Sequence, residues 1–589
     1  MRQAVGAFVL GAVVCACLLA TAQTPPRYIV DKDVTIHLDD GATLCAMVVR
    51  PPGAARRPAA LEFTIYVSPE QDLTRLEYAA GRGYAGIMVY ARGKSCSPDT
   101  IAPYEHDGHD ANGAIDWISK QPWSDGQVGM MGGSYDGFTQ WAAAKFANPH
   151  LKTIVPIVPN NPGNGLPMQN NVFLLANYAW IYYVTDNKTL DDATYNDPKW
   201  RTLPMRWYQS GRSYRDVDVV AGMPNPWLRK WLQHPSYDGY WQSMSPYRGD
   251  YARIRIPVLT IDGYYGDSTA IGYFNDFQKY NRAAQTYLVA GPWDHFGSQR
   301  RRKPDVVRGY RIDPVAHIDA WKLTFDWFDF VMRGKPRPPL VRNRVNYEVM
   351  GANAWRHAPS LDAMGTPERF YPTTGHVSRR FYLLSPMPPA GLGALHQVVN
   401  LADRKTMNND SYPSPILDRE PDLSNGCNFL TPPFPRPEEV SGLDGVVRLR
   451  VKARDLDVGL ALYEMLPDGR LFQLTYDTER ASYGSDMSAR RLLTPGKEAT
   501  VPFDQDDLFS RLIGKGSRLL LTLNVNKNPF AEINYGTGGD VATESLDDAR
   551  APMQVDWLTS SYIRLRLRDP RSQTAAVPGR AEGEGRGGR

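Results

Sequence analysis

A serine hydroxyl becomes a useful nucleophile only where a base can take its proton and an acid orients that base. The stretch Gly132-Gly133-Ser134-Tyr135-Asp136-Gly137 offers such a serine. It follows the apolar run Val128 to Met131 and leads into a segment with helical character from Asp136. In a strand, bend and helix of this kind, the tight glycine bend lifts the hydroxyl clear of the chain. The common five-residue form of that bend wants glycine at 136, but aspartate stands there and glycine follows at 137. Because a glycine bend containing serine also occurs as a plain turn, the nucleophile reading requires a histidine and an acid downstream.

Both are present, in the order serine, acid, histidine expected of an α/β-hydrolase architecture. "LVAGPWDHFGS" ends an expected strand and places His295 in the segment after it. "IPVLTIDGYYGDSTAIGYF" supplies two acids, Asp262 and Asp267. Asp262 abuts the strand end, where it can close the turn with Gly263, whereas Asp267 sits in the loop with freedom to reach the histidine and is the preferred candidate. Asp294, adjacent to His295 along the backbone, is badly placed to hold its ring.

The surrounding elements must position these groups. From about residue 27 to 155, short apolar runs ("LEFTIYV", "YAGIMVY", "VGMM", "TIVPIV") alternate with helical stretches. In "DGHDANGAIDWISKQ", Ala114, Ile115 and Ile118 can share a face, and the alternation predicts a largely parallel sheet with helices between its strands. Residues 160–250, rich in Asn, Pro and aromatics including Trp180, Trp207, Trp231 and Trp241, break the pattern and read as a mostly helical insertion. The strand pattern returns at "IPVLTID" and "TYLVAG", and a helix follows that Gly334 and Pro336 terminate. Beyond about 340, short strands between Pro, Gly and Asp turns, from "VNYEVMG" to "SYIRLRL", predict a β-sandwich. The boundaries expected are thus 23–340 for the catalytic domain, 341–569 for the sandwich and 570–589, ending "GRAEGEGRGGR", for a disordered tail.

The 589-residue chain is 42% hydrophobic and 22% charged, with a net charge of +4. That balance is too even for a nucleic-acid partner and favours a small molecule or short peptide. Residues 1–22 have the basic start, apolar run and small-residue end of a secretory signal peptide, so export to the periplasm or the medium is expected. A lipoprotein reading through Cys17 fits its flanking residues less well. No later stretch is long and apolar enough to span a membrane. Cleavage after Ala22 leaves Cys45, Cys96 and Cys427, without metal-type spacing and with room for at most one disulfide. Neither a metal nor a cofactor is called for, and the oligomeric state is not legible.

The segments "YEHDGHDANGAIDWISKQPWSDGQVGMMGGSYDGFTQ", "IDGYYGD", "GPWDH", "HPSYDGYW" and "LDVGLALYEMLPDGRLFQL" resemble those of the cocaine esterase and X-prolyl dipeptidyl-peptidase family, which also includes α-amino-acid ester hydrolases and glutaryl-cephalosporin acylase-like proteins. The likeness runs over nearly the whole mature chain. Its nucleophile motif, glycine, any residue, serine, tyrosine, any residue, glycine, accounts for the glycine at 137. The resemblance implies an α/β-hydrolase domain with a helical cap over the active site at about 160–250 and a C-terminal jelly roll of the galactose-binding-like kind. It also implies an oxyanion hole made by the Tyr66 phenol and the Tyr135 backbone N–H.

The sequence departs from the family at two places. In relatives the acid directly follows a glycine-aromatic-aromatic run, a position taken here by Gly266, with Asp267 one residue later. The α-amino-acid ester hydrolases carry extra carboxylates after the acid to receive the substrate ammonium, but here Ser268-Thr269-Ala270 follows. Asp136, or Asp238 in the cap, would have to substitute, and Asp136 can equally cap its own helix. The expectation is therefore a secreted serine hydrolase acting on esters or amides through Ser134, His295 and Asp267. The competing class is a non-catalytic peptide- or glycan-binding protein built on a decayed hydrolase; the intact serine, acid and histidine weigh against it.

Overall fold

A computed structural model describes residues 27–373, 381–383, 393–407, 415–418, 426–504 and 508–572. The expected leader, and residues 573–589 of the expected tail, lie outside the described residues. The chain begins with β1 (Ile29–His37), β2 (Thr43–Arg50) and β3 (Arg57–Thr64), then α1 (Pro69–Gly81), β4 (Ala85–Tyr90), α2 (Asp107–Ser119), β5 (Ser124–Gly133), α3 (Tyr135–Ala144) and β6 (Leu151–Ile157). These strands form a ten-stranded sheet in the order β1-β2-β4-β3-β5-β6, continued by Val258–Tyr265, Thr286–Asp294, Val345–Val349 and Ala354–Ala358.

Pairing is parallel from β4 through Val345–Val349 and antiparallel at both edges. Every residue of β4 and of Val258–Tyr265 is buried, as expected for central strands with helices on both faces. α3 is buried along its whole length, a consequence of Phe138, Trp141 and the alanine run that let it lie close to the sheet. A disulfide joins Cys45 in β2 to Cys96 in the loop after β4, and Cys427 is a buried thiol.

Between β6 and Val258 the expected helical insertion is present. Its helices include α4 (Tyr178–Thr185), Lys199–Ser210, Pro226–Trp231 and Gly239–Met244. Trp207, Trp231 and Trp241 are core residues of this cap, each almost wholly buried; Trp180 is only half-buried.

"VNYEVMG", expected to open the sandwich, instead extends the first sheet. Val345–Val349 runs parallel to Thr286–Asp294 with Leu288 opposite Val345, and its residues are all buried. Such continuous burial suits a parallel strand covered on both faces rather than a sandwich strand with one wet face. The strands of the two sandwich sheets begin at Thr366.

Among the described residues, two seven-stranded, largely antiparallel sheets make up the sandwich. In the first, the end of Glu438–Val451 turns Val447, Leu449 and Val451 inward and Arg448 and Arg450 outward, the period-two pattern of a half-buried strand. In the second, Arg480 is buried between Asp457 and Glu532 at 2.8–2.9 Å. This pairing satisfies three charges that would be costly to bury apart.

Candidate active site

The bend at Ser134 is fixed by its own short neighbourhood. Ser134 has φ 61° and ψ −120°, a strained conformation for a residue with a side chain. Its N–H donates to the Ile157 carbonyl at 3.0 Å, and its carbonyl accepts from the N–H groups of Gly137 at 3.0 Å, Phe138 at 3.1 Å and Asn160 at 3.2 Å. A β-carbon at Gly132 would lie 2.6 Å from that of Asp136, and one at Gly137 would lie 2.8 Å from the Pro159 Cα. Both positions are therefore closed to any larger residue without rearrangement, which is the physical content of the glycines at 132 and 137.

The phenol oxygen of Tyr66, two residues past the end of β3, lies 3.5 Å from Ser134 Oγ and accepts a hydrogen bond from the Trp180 indole at 3.0 Å. Burial and the nearby Asp136 push the phenol well above its ordinary pKa, so it stays protonated and able to donate. Tyr135 opens α3, where a backbone N–H has no intrahelical acceptor. Its ring is anchored away from the opening, the hydroxyl donating to Asp107 at 2.7 Å and accepting from the Tyr104 N–H at 3.0 Å.

Asp136 does not cap α3 from outside; it lies in the first turn, 2% exposed, facing Glu62. Arg75 holds Glu62 at 2.6 Å. Burial, and next the charge of Glu62, raise Asp136 well above the usual carboxylate range, because two carboxylates this close cannot both ionise cheaply. Asp238 caps Gly239–Met244 through the Tyr240 N–H at 3.0 Å and meets His234 at 2.8 Å. Both alternative ammonium partners are thus engaged in other contacts.

His295 opens the short helix His295–Gln299. The Asp294 carboxylate accepts from the Gly297 N–H at 2.6 Å at one end, and Lys303 Nζ donates to the carbonyls of Gly297 at 3.1 Å and Ser298 at 2.7 Å at the other. His295 Nδ1 is 2.7 Å from the Gly266 carbonyl. A carbonyl can only accept, so Nδ1 carries the proton and the Nε2 lone pair is available. Burial lowers the imidazole pKa below the ordinary histidine value, which keeps the ring neutral, as a base must be.

Asp267, with φ 44°, accepts from the Tyr476 hydroxyl of the sandwich strand Leu471–Arg480 at 3.0 Å. Solvent reaches its side chain, yet protein mass around the crevice pushes its pKa up to about 6 against the opposing pull of Arg308 and Tyr476. Asp267, Arg308, Gln473 and Tyr476 border a cavity of about 20 Å³, room for a single water. Asp262 lies within the strand rather than after it, 5% exposed, with Oδ1 accepting from Ser268 Oγ at 2.7 Å. Burial raises its pKa to about 7. Among the described residues no hydrogen bond joins His295 to Ser134 or to either acid; such contacts commonly tighten only when substrate binds.

Sequence reasoning missed Trp180 as a partner of Tyr66 and the Gly266 carbonyl as a partner of His295. Neither had a signal, since a backbone carbonyl has no residue type and cap tryptophans are usually core. Away from the crevice, Asp39, Asp40 and His109 cluster at the surface. Arg92 already pairs with Asp40 and, at 2.6 Å, with Asp110, which disfavours a cation there.

A serine raised on a strand–helix bend of a mostly parallel sheet, with a neutral histidine three strands further along the sheet, defines a serine hydrolase of the α/β type. Residues 40–297 match the X-Pro dipeptidyl-peptidase (S15) family and residues 342–556 match the X-Pro dipeptidyl-peptidase C-terminal non-catalytic domain. The chain belongs to the cocaine esterase and X-Pro dipeptidyl-peptidase family.

Cocaine esterase from a Rhodococcus species is 26% identical over 571 residues, 89% of this chain and 95% of that protein. Among solved structures, an aminopeptidase from a marine-sediment Thaumarchaeota archaeon superposes with TM-score 0.74 at 19% identity, covering 94% of this chain and 99% of that one. An α-amino acid ester hydrolase superposes with TM-score 0.72 at 20% identity, covering 95% and 100%. These two likenesses bear on the fold.

Proposed function

We propose that the protein hydrolyses small carboxylic esters or amides through an acyl-enzyme on Ser134. His295 Nε2 takes the serine proton during attack and returns it to the leaving group. The Gly266 carbonyl holds the ring in the resting state, and Asp267 is the acid that stabilises the imidazolium as it forms. Tyr66 and the Tyr135 N–H receive the tetrahedral oxyanion. The observation that carries this reading is the strained Ser134 bend with the Tyr66 hydroxyl 3.5 Å from its Oγ.

Tyr66, Trp180 and Tyr183 near the serine, and the exposed Phe296 edge-on to His295 at 5.6 Å, suit an apolar or aromatic acyl or leaving group. With Asp136 buried under the bend and Asp238 capping a helix, the reading does not require a free amino group on the substrate. Export is also proposed, supported by the Cys45–Cys96 disulfide, a bond that persists in oxidising compartments.

The test is a serine-directed fluorophosphonate with mapping of the adduct, run beside p-nitrophenyl esters, aminoacyl amides and X-Pro amides. The expected result is an adduct on Ser134 and turnover of simple esters at rates at least equal to those of aminoacyl substrates. A folded protein left unlabelled at Ser134 would overturn the mechanism; turnover confined to X-Pro amides would overturn the substrate class.

A further inference from the structure

Tyr66 and Trp180 come from different parts of the chain, one beside the strand that flanks the nucleophile and one on the cap helix α4. Their hydrogen bond at 3.0 Å has only one possible direction. An indole N–H donates and never accepts, whereas a phenol oxygen does both. The Trp180 N–H therefore occupies a lone pair of Tyr66 and leaves the phenol hydrogen to point elsewhere. The other polar contact of that oxygen is Ser134 Oγ at 3.5 Å, too long for a strong bond to the serine itself.

The indole is held on several sides. It stacks on Tyr104 at 5.6 Å and 20° and lies against Tyr135 at 5.9 Å and 34°. Those two rings are fixed in turn by Asn160, which donates to the Tyr104 hydroxyl at 3.0 Å, and by Asp107 on the Tyr135 hydroxyl. α4 also sets Tyr183, one turn on from Trp180, against Tyr66 with ring centres 6.4 Å apart. The far end of α4 is tied to the catalytic domain by Lys94, fully buried, whose ammonium donates to the carbonyls of Val184 at 2.9 Å, Asn187 at 2.6 Å and Thr189 at 3.0 Å. The position of Trp180 is thus set by the domain it serves.

We propose that Trp180 is a positioning residue of the oxyanion hole: its N–H fixes the Tyr66 hydroxyl as a donor aimed at the tetrahedral oxygen. The cap then contributes to transition-state stabilisation as well as to enclosing the substrate. Accepting a hydrogen bond also polarises the phenol, making its own O–H a better donor where charge develops. This rests on the assignment of Ser134 and Tyr66 above.

The experiment is a double-mutant cycle of Trp180→Phe and Tyr66→Phe with a p-nitrophenyl ester, reading kcat and KM separately. Trp180→Phe alone is expected to lower kcat by about 10-fold, the scale of one hydrogen bond, with KM changed by less than about threefold. In the Tyr66→Phe background the same change is expected to alter kcat by less than about twofold, since no phenol remains to be aimed. An equal loss in both backgrounds, or a loss confined to KM, would overturn the proposal and leave Trp180 a packing or substrate-contact residue. Should Trp180→Phe not fold, the cycle is run with Trp180→Leu, which also lacks a donor, and the loss must again vanish without the phenol. Retention of activity by Ser134→Ala would instead sink the underlying mechanism, so the two failures are separable.

Discussion

The two halves of the site are built in different ways. The nucleophile half is built within the catalytic domain and its cap: six consecutive residues of the bend, the end of β3 and the packed rings of Tyr104, Tyr135 and Trp180 hold Ser134 and Tyr66 in place. The base half is assembled from distant segments. His295 is turned by a carbonyl 29 positions away, and the acid one residue further along is held by a tyrosine 209 positions away in the sandwich. The strained bend itself rests on short-range geometry, while the proposed acid draws on the domain interface. With Asp267 as the proposed acid, the Tyr476 contact gives the C-terminal domain a part in tuning it.

Ser134→Ala is the harshest test of the nucleophile half. It removes the nucleophile outright and is expected to lower kcat by on the order of 10⁶-fold, read by burst-free ester kinetics and loss of fluorophosphonate labelling. Tyr66→Phe removes one oxyanion donor and is expected to cost about 10²–10³-fold in kcat with little change in KM. A loss falling on KM alone would mean that the phenol contacts the ground-state substrate rather than the oxyanion.

How far the sequence revealed each half follows from the same difference. Ser134, with its glycines at 132 and 137, was legible because steric demands within one bend are written in adjacent residue types. The place of His295 after a strand was legible, and the sheet from runs such as "AGIMVY". The strand "VNYEV" was assigned to the wrong sheet because as a string it does not say whether one face or both will be covered; only its pairing with Thr286–Asp294 decides. The acid was the least legible element. The Gly266 carbonyl, rather than a carboxylate, meets the histidine, and nothing in the local string showed that Tyr476 would take the Asp267 carboxylate. Hydrogen bonds between residues hundreds of positions apart carry no local pattern.

For the base half, Asp267→Asn is expected to lower kcat/KM by about 10²-fold, short of the ~10⁴ seen where replacing a triad acid inverts the histidine tautomer, because the Gly266 carbonyl still holds Nδ1–H in place. Asp262→Asn, on a group already half neutral near pH 7 by its pKa of about 7, is expected to cost less than about threefold, comparable to a lost neutral hydrogen bond. A larger loss in Asp262→Asn than in Asp267→Asn, measured side by side, would reverse the assignment of the acid.

Tyr476→Phe is the finest probe, because it removes a single hydroxyl whose hydrogen bond goes to the Asp267 carboxylate. The Tyr476 hydroxyl donates to the Asp267 carboxylate and lowers its pKa, opposing the burial that raises it to about 6. Removing that donor lets the pKa climb, so Asp267 takes up its proton at a higher pH. If the ionised carboxylate supports the imidazolium, the acid limb of kcat/KM must move to higher pH. Burial lowers the His295 pKa in variant and wild type alike, so the displacement of the limb between the two proteins is the signal to read. Above about pH 8 both groups are in their working forms, and the variant should match the wild type within about threefold, as for one neutral hydrogen bond. An unmoved acid limb would show that the charge of Asp267 is not used. A uniform loss at every pH would make Tyr476 a packing contact between the domains, and the base half would then be as self-contained as the nucleophile half.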